Sequence, residues 1–191
     1  MEPASAIVRV CEELSAGDFE TAAATVREQY PFVPLQPVER KYGVAEALRV
    51  FIRDGFIDRY SGNRLLFPGS LRLIAHLLPH TFPFHPNWKM SETHPAFWQL
   101  TPTVDHRTPV CRGGEDSEEN WLTTSMLRNS AKANWTLEEL GWTVHPAGRL
   151  ADWDGQLSWF RSYVATHPEV LREVSGLRVW HRAALAVPVA S

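Results

Sequence analysis

VDHRTPVCRGGEDSEENWLTTSMLRNSAKANW, residues 104–135, is the stretch that decides the fold. An acid and an imidazole, Asp105 and His106, follow a short apolar run; Asn120 and Asn129 then come at steps of 14 and 9 residues. Thr103 to Val110 places β-branched residues on both sides of the pair, which suits an extended segment, with Pro109 turning its far end into an edge or a bend. Gly113-Gly114 lets the chain reverse with φ > 0. Trp121 to Thr124 reads as a short returning strand. From Ser125, a natural cap, Met126, Leu127, Ala131 and Ala133 suit a short helix that closes near Asn134. Two strands crossing onto a helix bring Asp105, His106 and Asn129 to one spot. The acidic run Glu115, Asp116, Glu118, Glu119 is expected to face solvent between the strands.

The chemistry of that cluster follows from its groups. A carboxylate and an amide oxygen are hard donors, suited to Mg²⁺ or Mn²⁺ with several waters left in place. A neutral imidazole beside them takes a proton from water. Metal plus base makes a site for hydrolysing a phosphodiester.

The segment resembles the HNH, or ββα-metal, endonucleases, in the variant whose third letter is Asn. The likeness runs through Val104 to Val110, Arg112-Gly113-Gly114, Glu119-Asn120-Trp121 and Arg128 to Lys132, and the spacing is similar to that of the HNH domain of RNA-guided CRISPR effectors. The resemblance implies an α+β fold: a ββα-metal core with an N-terminal helical region and C-terminal helices. It implies His106 as general base, Asp105 and Asn129 as ligands of one Mg²⁺ or Mn²⁺, and Asn120 as the residue that ties the loop together and orients His106. Arg107 and Lys132 are candidates for phosphate contact.

The likeness extends upstream to about residue 49. There Arg53-Asp54-Gly55-Phe56-Ile57-Asp58-Arg59-Tyr60-Ser61-Gly62 is similar to the opening of many members, in which Cys-x-x-Cys would fall on Asp58 and Ser61, and a second pair on Ser125 and Arg128. All four zinc-ligand positions are replaced. A structural zinc takes Cys or His, so none is expected, and an Asp58–Arg128 ion pair with the hydroxyls of Ser61 and Ser125 nearby is expected in its space.

The remaining composition sets bounds. With 191 residues, 44% apolar residues and eight tryptophans, the chain is long enough and apolar enough for a real core. The expected organisation is an N-terminal helical region (1–48), a nuclease core with an aromatic-rich insert (49–142) and a C-terminal helical extension (143–191), packed as one unit. No apolar run approaches membrane-spanning length, and Met-Glu-Pro-Ala-Ser lacks a secretory pattern, so cytoplasmic residence without a membrane is expected. Cys11 and Cys111 give no disulfide framework, and Cys111 reads as a small core residue. The formal charge of −3 does not suggest a surface that tracks phosphate throughout. Residues 49–72 carry five arginines against two aspartates; a solvated surface and a phosphate-contacting patch that includes Arg53 and Arg59 stay open there.

Along the chain, helices are expected over residues 4–15, over Phe19 to Gln29 behind an Asp18 cap, and near Glu39 to Arg53, with Pro31, Pro34 and Pro37 as an extended connector. Three short helices invite a helix-turn-helix reading, but no basic recognition face is evident. Residues 64–67 with Pro68-Gly69 read as strand and turn, and Leu71 to Leu78 as strand or short helix. His80, His85 and His94 fit no usual metal spacing, and Phe84, Trp88 and Trp98 read as packing rather than base stacking. Thr136 caps a short helix ended by Gly141. Pro146-Ala147-Gly148 is a turn, and two more helices are expected over Asp152 to Val164 and Pro168 to Val174.

The expected function is metal-dependent DNA cleavage in restriction or defence. A non-catalytic nucleic-acid-binding module of the same fold and a nuclease toxin are the alternatives. One metal centre cuts one strand at a time, so double-strand cleavage calls for a homodimer or two successive events.

Overall fold

The computed structural model describes residues 2–34 and 42–187. The chain divides into two compact units, Met1–Pro37 and Val38–Ser191. The first holds α1 (Pro3–Ser15) and α2 (Phe19–Gln29). Pro3 opens α1 where its missing N–H leaves nothing unpaired. Asp18 caps α2, accepting from the Thr21 N–H at 3.0 Å and from the Thr21 hydroxyl at 2.7 Å. Ala6 and Ala22 are buried, and the Thr25 hydroxyl donates to Glu13 at 3.0 Å. Of the expected proline connector, residues 31–34 have no regular structure and Pro37 lies outside the described residues.

The second unit begins its regular structure with α3 (Val44–Arg53), where the Glu46 carboxylate accepts from the Gly43 N–H. The expected start at Glu39 lies outside the described residues. Helix α3 belongs to the second of these units.

The elements after it are α4 (Pro68–Leu77), α5 (Ala96–Leu100), β1 (Pro102–His106), β2 (Trp121–Ser125), α6 (Met126–Lys132), α7 (Leu137–Leu140), α8 (Leu157–Thr166), α9 (Val170–Glu173) and α10 (Leu177–Ala186). The class is α+β, mostly helical, with one antiparallel hairpin. Among the described residues no helix is long and apolar enough to cross a membrane.

Several expectations need correction. Pro68-Gly69 is not a turn but the first turn of α4, and residues 64–67 contribute only an isolated bridge, Ile57 with Arg64. Helix α4 is buried on two faces, Leu73 in the main core and Leu71 with Ala75 in a second cluster, so no single apolar stripe marks it. At the C-terminus, α8 starts at Leu157 rather than Asp152, because the Asp154 carboxylate accepts from the Gln156 and Ser158 N–H groups, both at 2.8 Å. Helix α10 was not expected. It buries Leu177 and the small Ala183 and Ala184, and Arg161 donates to the carbonyls of Ala184 and Val187 at its end.

The main core joins Phe51 of α3, Phe56, Phe67, Val104 of β1, Trp121 of β2, Phe160 of α8 and Leu177 of α10. Phe67 sits edge-on to both Phe56 and Phe160. The aromatic insert forms the second cluster: Phe82, Phe84, Trp88 and Trp98 close around buried Phe97, as the packing reading expected.

A lone two-stranded hairpin is marginal in water. Here both its edges are sealed. Strands β1 and β2 pair from Pro102 with Ser125 to His106 with Trp121. On β2, the Asp54 carboxylate accepts from the Thr123 N–H (2.8 Å), the Arg59 N–H donates to the Thr123 carbonyl (2.8 Å), and the Asp58 carboxylate accepts from the Ser125 N–H (3.0 Å). Residues 54–59 thus take the place of a third strand. On β1, side chains of α6 take up the carbonyls of Val104 and His106.

Candidate active site

Successive strand residues face opposite sides, and β1 uses both. Thr103 and Asp105 face α6, whereas Val104 joins the main core and His106 meets Trp121 and the loop between the strands.

On the α6 side, Asp105 is 3% exposed. Its Oδ2 accepts from the Tyr60 hydroxyl at 2.7 Å and lies 2.9 Å from Lys132 Nζ. Burial, then the charge of Asp105, pushes the Tyr60 phenol well above its ordinary range, so it stays a donor. Lys132 is fully buried, and its ammonium also donates to the His106 carbonyl at 2.9 Å. Asn129, one turn earlier on the same helix face, donates through Nδ2 to Thr103 Oγ1 (3.0 Å) and the Val104 carbonyl (3.3 Å). A carbonyl only accepts, so the amide nitrogen must face the strand and Oδ1 is turned away from it.

On the other side, the His106 ring is sealed, 2% exposed. Its Nε2 lies 2.7 Å from Asp116 Oδ1, and the Trp121 indole donates to the same oxygen at 2.9 Å while standing 3.1 Å from Nε2. A lone pair on Nε2 would confront the carboxylate, so the proton sits on Nε2. The other ring nitrogen, Nδ1, is buried without a hydrogen-bond partner.

The loop from Arg107 to Asn120 is held by Asn120, as expected. Its Oδ1 accepts from the Thr108 N–H (2.9 Å), and its Nδ2 donates to the carbonyls of Thr108 (2.9 Å) and Glu115 (2.7 Å). Gly114 permits this: a Cβ there would lie 2.0 Å from the Thr108 carbonyl oxygen. Gly113 supplies the left-handed turn, φ 90°.

The expected phosphate contacts divide. Arg107 is exposed beside His106 and suits the role. Lys132 does not: a buried ammonium paired with Asp105 is out of reach of a backbone phosphate in this conformation. Arg59 is spent internally, donating to Asp54 (2.8 Å) and the His145 carbonyl (2.6 Å). Arg53 donates to the carbonyls of Glu118 and Trp121, which fastens α3 to β2.

Where the zinc cysteines would stand, the Asp58–Arg128 pair is present at 3.8 Å. The buried Asp58 carboxylate does more: it accepts from the N–H groups of Tyr60 and Ser125 and from the Thr124 hydroxyl, at 2.9–3.1 Å. Ser125 caps α6, and the Ser61 hydroxyl accepts from Asn63 N–H. His80, His85 and His94 do not converge; His94 stacks on Phe82, and its Nδ1 accepts from the Ala96 N–H. Cys111 is half-buried, not a core residue: it sits in a single 3-10 turn, Val110–Arg112, none of whose residues is buried.

Sequence reasoning missed Tyr60 and Asp116. Asp116 lies within an acidic run that reads as solvated, and nothing local marks it as a partner of an imidazole ten residues earlier.

Among the described residues no three His, Cys, Asp or Glu side chains gather as a metal cage. The oxygens an ion could draw on here are the Asp105 carboxylate, whose Oδ2 is already taken by Lys132 and Tyr60, and Asn129 Oδ1, which is turned away from β1. Oxygen donors of this kind are of the type that Mg²⁺ or Mn²⁺ takes, with several waters left in place. Comparison of the chain with protein-family models, with curated proteins and with solved structures finds no match in any of the three.

Proposed function

We propose that this chain is a metal-dependent endonuclease of the HNH type that hydrolyses DNA phosphodiester bonds, with restriction or defence as its setting. The observation that carries the reading is the strand–loop–strand–helix arrangement: it puts Asp105 and Asn129 on one face of β1 and α6 and His106 at the strand end, with Asn120 bracing the loop.

In this reading His106 Nδ1 accepts a proton from the attacking water, and Asp116, bonded to Nε2–H, fixes the tautomer and stabilises the imidazolium. Trp121 holds Asp116 in place. Asp105 and Asn129 Oδ1 would hold one Mg²⁺ or Mn²⁺, which when bound supplies charge that offsets the negative charge building on the phosphate. Arg107 meets the neighbouring backbone. Since Nδ1 is sealed from bulk water, this reading requires whatever covers Nδ1 to move when substrate binds while the Asp116 bond to Nε2 is kept.

A non-catalytic nucleic-acid-binding module is the second reading. The sealed His106 ring and the ammonium on Asp105 favour it. A plasmid-nicking assay with Mg²⁺, Mn²⁺ and chelator separates the two. Metal-dependent nicking that falls at least about a hundredfold in His106→Ala, the lower scale for a lost general base, is the expected result. DNA binding with no cleavage under any divalent ion supports the second reading, and full activity in His106→Ala removes His106 from the mechanism.

A further inference from the structure

Lys132 is one of three lysines in the chain, with Lys41 and Lys89, and it is fully buried. A buried ammonium is tolerated only where oxygens replace its hydration. Lys132 has two, Asp105 Oδ2 and the His106 carbonyl, each at 2.9 Å. Oδ2 also accepts from Tyr60 at 2.7 Å. The carboxylate proposed as a metal ligand therefore already holds a cation, delivered by the same helix face that carries Asn129.

We infer that the Lys132 ammonium is a resident cation that competes with a divalent ion for Asp105, and so sets how tightly the site takes up metal. The inference rests on the nuclease reading, in which Asp105 is a metal ligand. An ion on Asp105 would stand within a few ångströms of the ammonium. Charges of the same sign at that separation repel strongly even at an effective dielectric of about 20. Either the ammonium gives up Oδ2 or the ion stays weakly held. The His106 carbonyl keeps a second hold on Lys132, so the ammonium can leave Asp105 while remaining attached to β1. Metal alone therefore binds weakly to the native chain, and removal of the ammonium tightens it.

Mn²⁺ alone is titrated against the native chain, Lys132→Met, Asp105→Asn and the double variant, with free Mn²⁺ read by its electron paramagnetic resonance signal and folding by circular dichroism. The Kd of Lys132→Met is expected to fall at least about tenfold, from loss of a neighbouring like charge, and the gain is expected to vanish in the double variant. An unchanged or weaker Kd in folded Lys132→Met, or a gain that persists without the Asp105 carboxylate, overturns the inference. Should Lys132→Met fail to fold, the native chain labelled with ¹⁵N-lysine carries the test. Its Lys132 Nζ resonance is expected to shift as Mn²⁺-free buffer is brought to saturating Mg²⁺, and to stay fixed in Asp105→Asn. A resonance unmoved while metal binds at Asp105 sinks the idea. Asp105-dependent binding of equal strength in the native chain and Lys132→Met removes this inference and leaves the nuclease reading standing. Absence of any Asp105-dependent binding removes both.

Discussion

Replacing Asp58 tests what ties residues 58–60 to the end of β2. The carboxylate is 1% exposed and accepts from two backbone N–H groups and one hydroxyl, all on buried residues. Asp58→Ala leaves the N–H groups of Tyr60 and Ser125 and the Thr124 hydroxyl without an acceptor. Each buried unsatisfied group costs roughly 1–3 kcal/mol. Water entering the vacated space recovers part of this, so the net loss is expected at about 3–5 kcal/mol, the scale of a broken buried ion pair. Arg128→Ala should cost about 1 kcal/mol or less, because its side chain is 38% exposed, with Nε 3.8 Å from Asp58, and a contact of that kind is screened by solvent. Part of even that loss would come from its position over the Trp142 ring, 5.4 Å away. Urea unfolding with a fitted slope, on both single variants and the double, measures each cost and their coupling. Arg128→Ala as damaging as Asp58→Ala would refute the reasoning, since the ion pair and not the hydrogen bonds would then carry the anchor.

The loop offers a matched pair of substitutions. Gly113→Ala meets open space and only the strain of a positive φ, so it should cost about 1–2 kcal/mol and spare function. Gly114→Ala drives a methyl into the Thr108 carbonyl and the Asn120 amide, so it should abolish the clamp and cut nicking at least tenfold, by roughly the penalty of one lost positioning group. Asn120→Ala unpairs both polar groups of Thr108 and the Glu115 carbonyl, and amide hydrogen exchange should accelerate from Arg107 to Asn120 while α3 and α8 stay protected. Exchange unchanged in Asn120→Ala would show that the loop is held by something else.

The ββα element was legible because its signals are local. Ser125 caps its own helix, Gly113-Gly114 reverses its own loop, and Asn120 grips backbone twelve and five residues away. The same holds for Asp18 ahead of α2 and for Thr136 with Glu139 at α7, where each side chain meets the other's backbone. What stayed hidden depends on distant partners. Arg53 and Arg59 look like surface charge until the chain folds β2 and His145 against them, more than sixty residues on. Lys132 looks like a phosphate ligand because a sequence gives no sign that its carboxylate lies 27 residues earlier. Helix α10 is amphipathic, with Leu177, Ala183 and Ala184 buried and Arg178 and Arg182 on its exposed side, so its pattern was readable and nothing in the sequence explains why it was not expected.

The sealed hairpin edges bear on how the candidate site can be dissected. Asn129 and Lys132 each have two tasks: Asn129 Nδ2 and Lys132 Nζ fasten α6 to carbonyls of β1, while Asn129 Oδ1 and the second contact of Nζ, to Asp105, are what they offer the candidate site. An alanine at either position loosens the helix as well as removing a functional group, so lost cleavage in Asn129→Ala cannot be assigned to lost metal. Asn129→Asp separates the tasks. It keeps an oxygen for the ion and adds charge, but it gives up the amide donor to Val104 and sets a carboxylate against a carbonyl, which costs about 1–3 kcal/mol if left unpaired. If α6 is held mainly by its own cap and by Lys132, that variant folds and keeps metal-dependent activity. If Asn129 Nδ2 is the principal tie, α6 loosens first and metal no longer matters. The anchoring of β2 by Asp54 and Asp58 is untouched in either case, which makes the far edge of the hairpin an internal control for the near one.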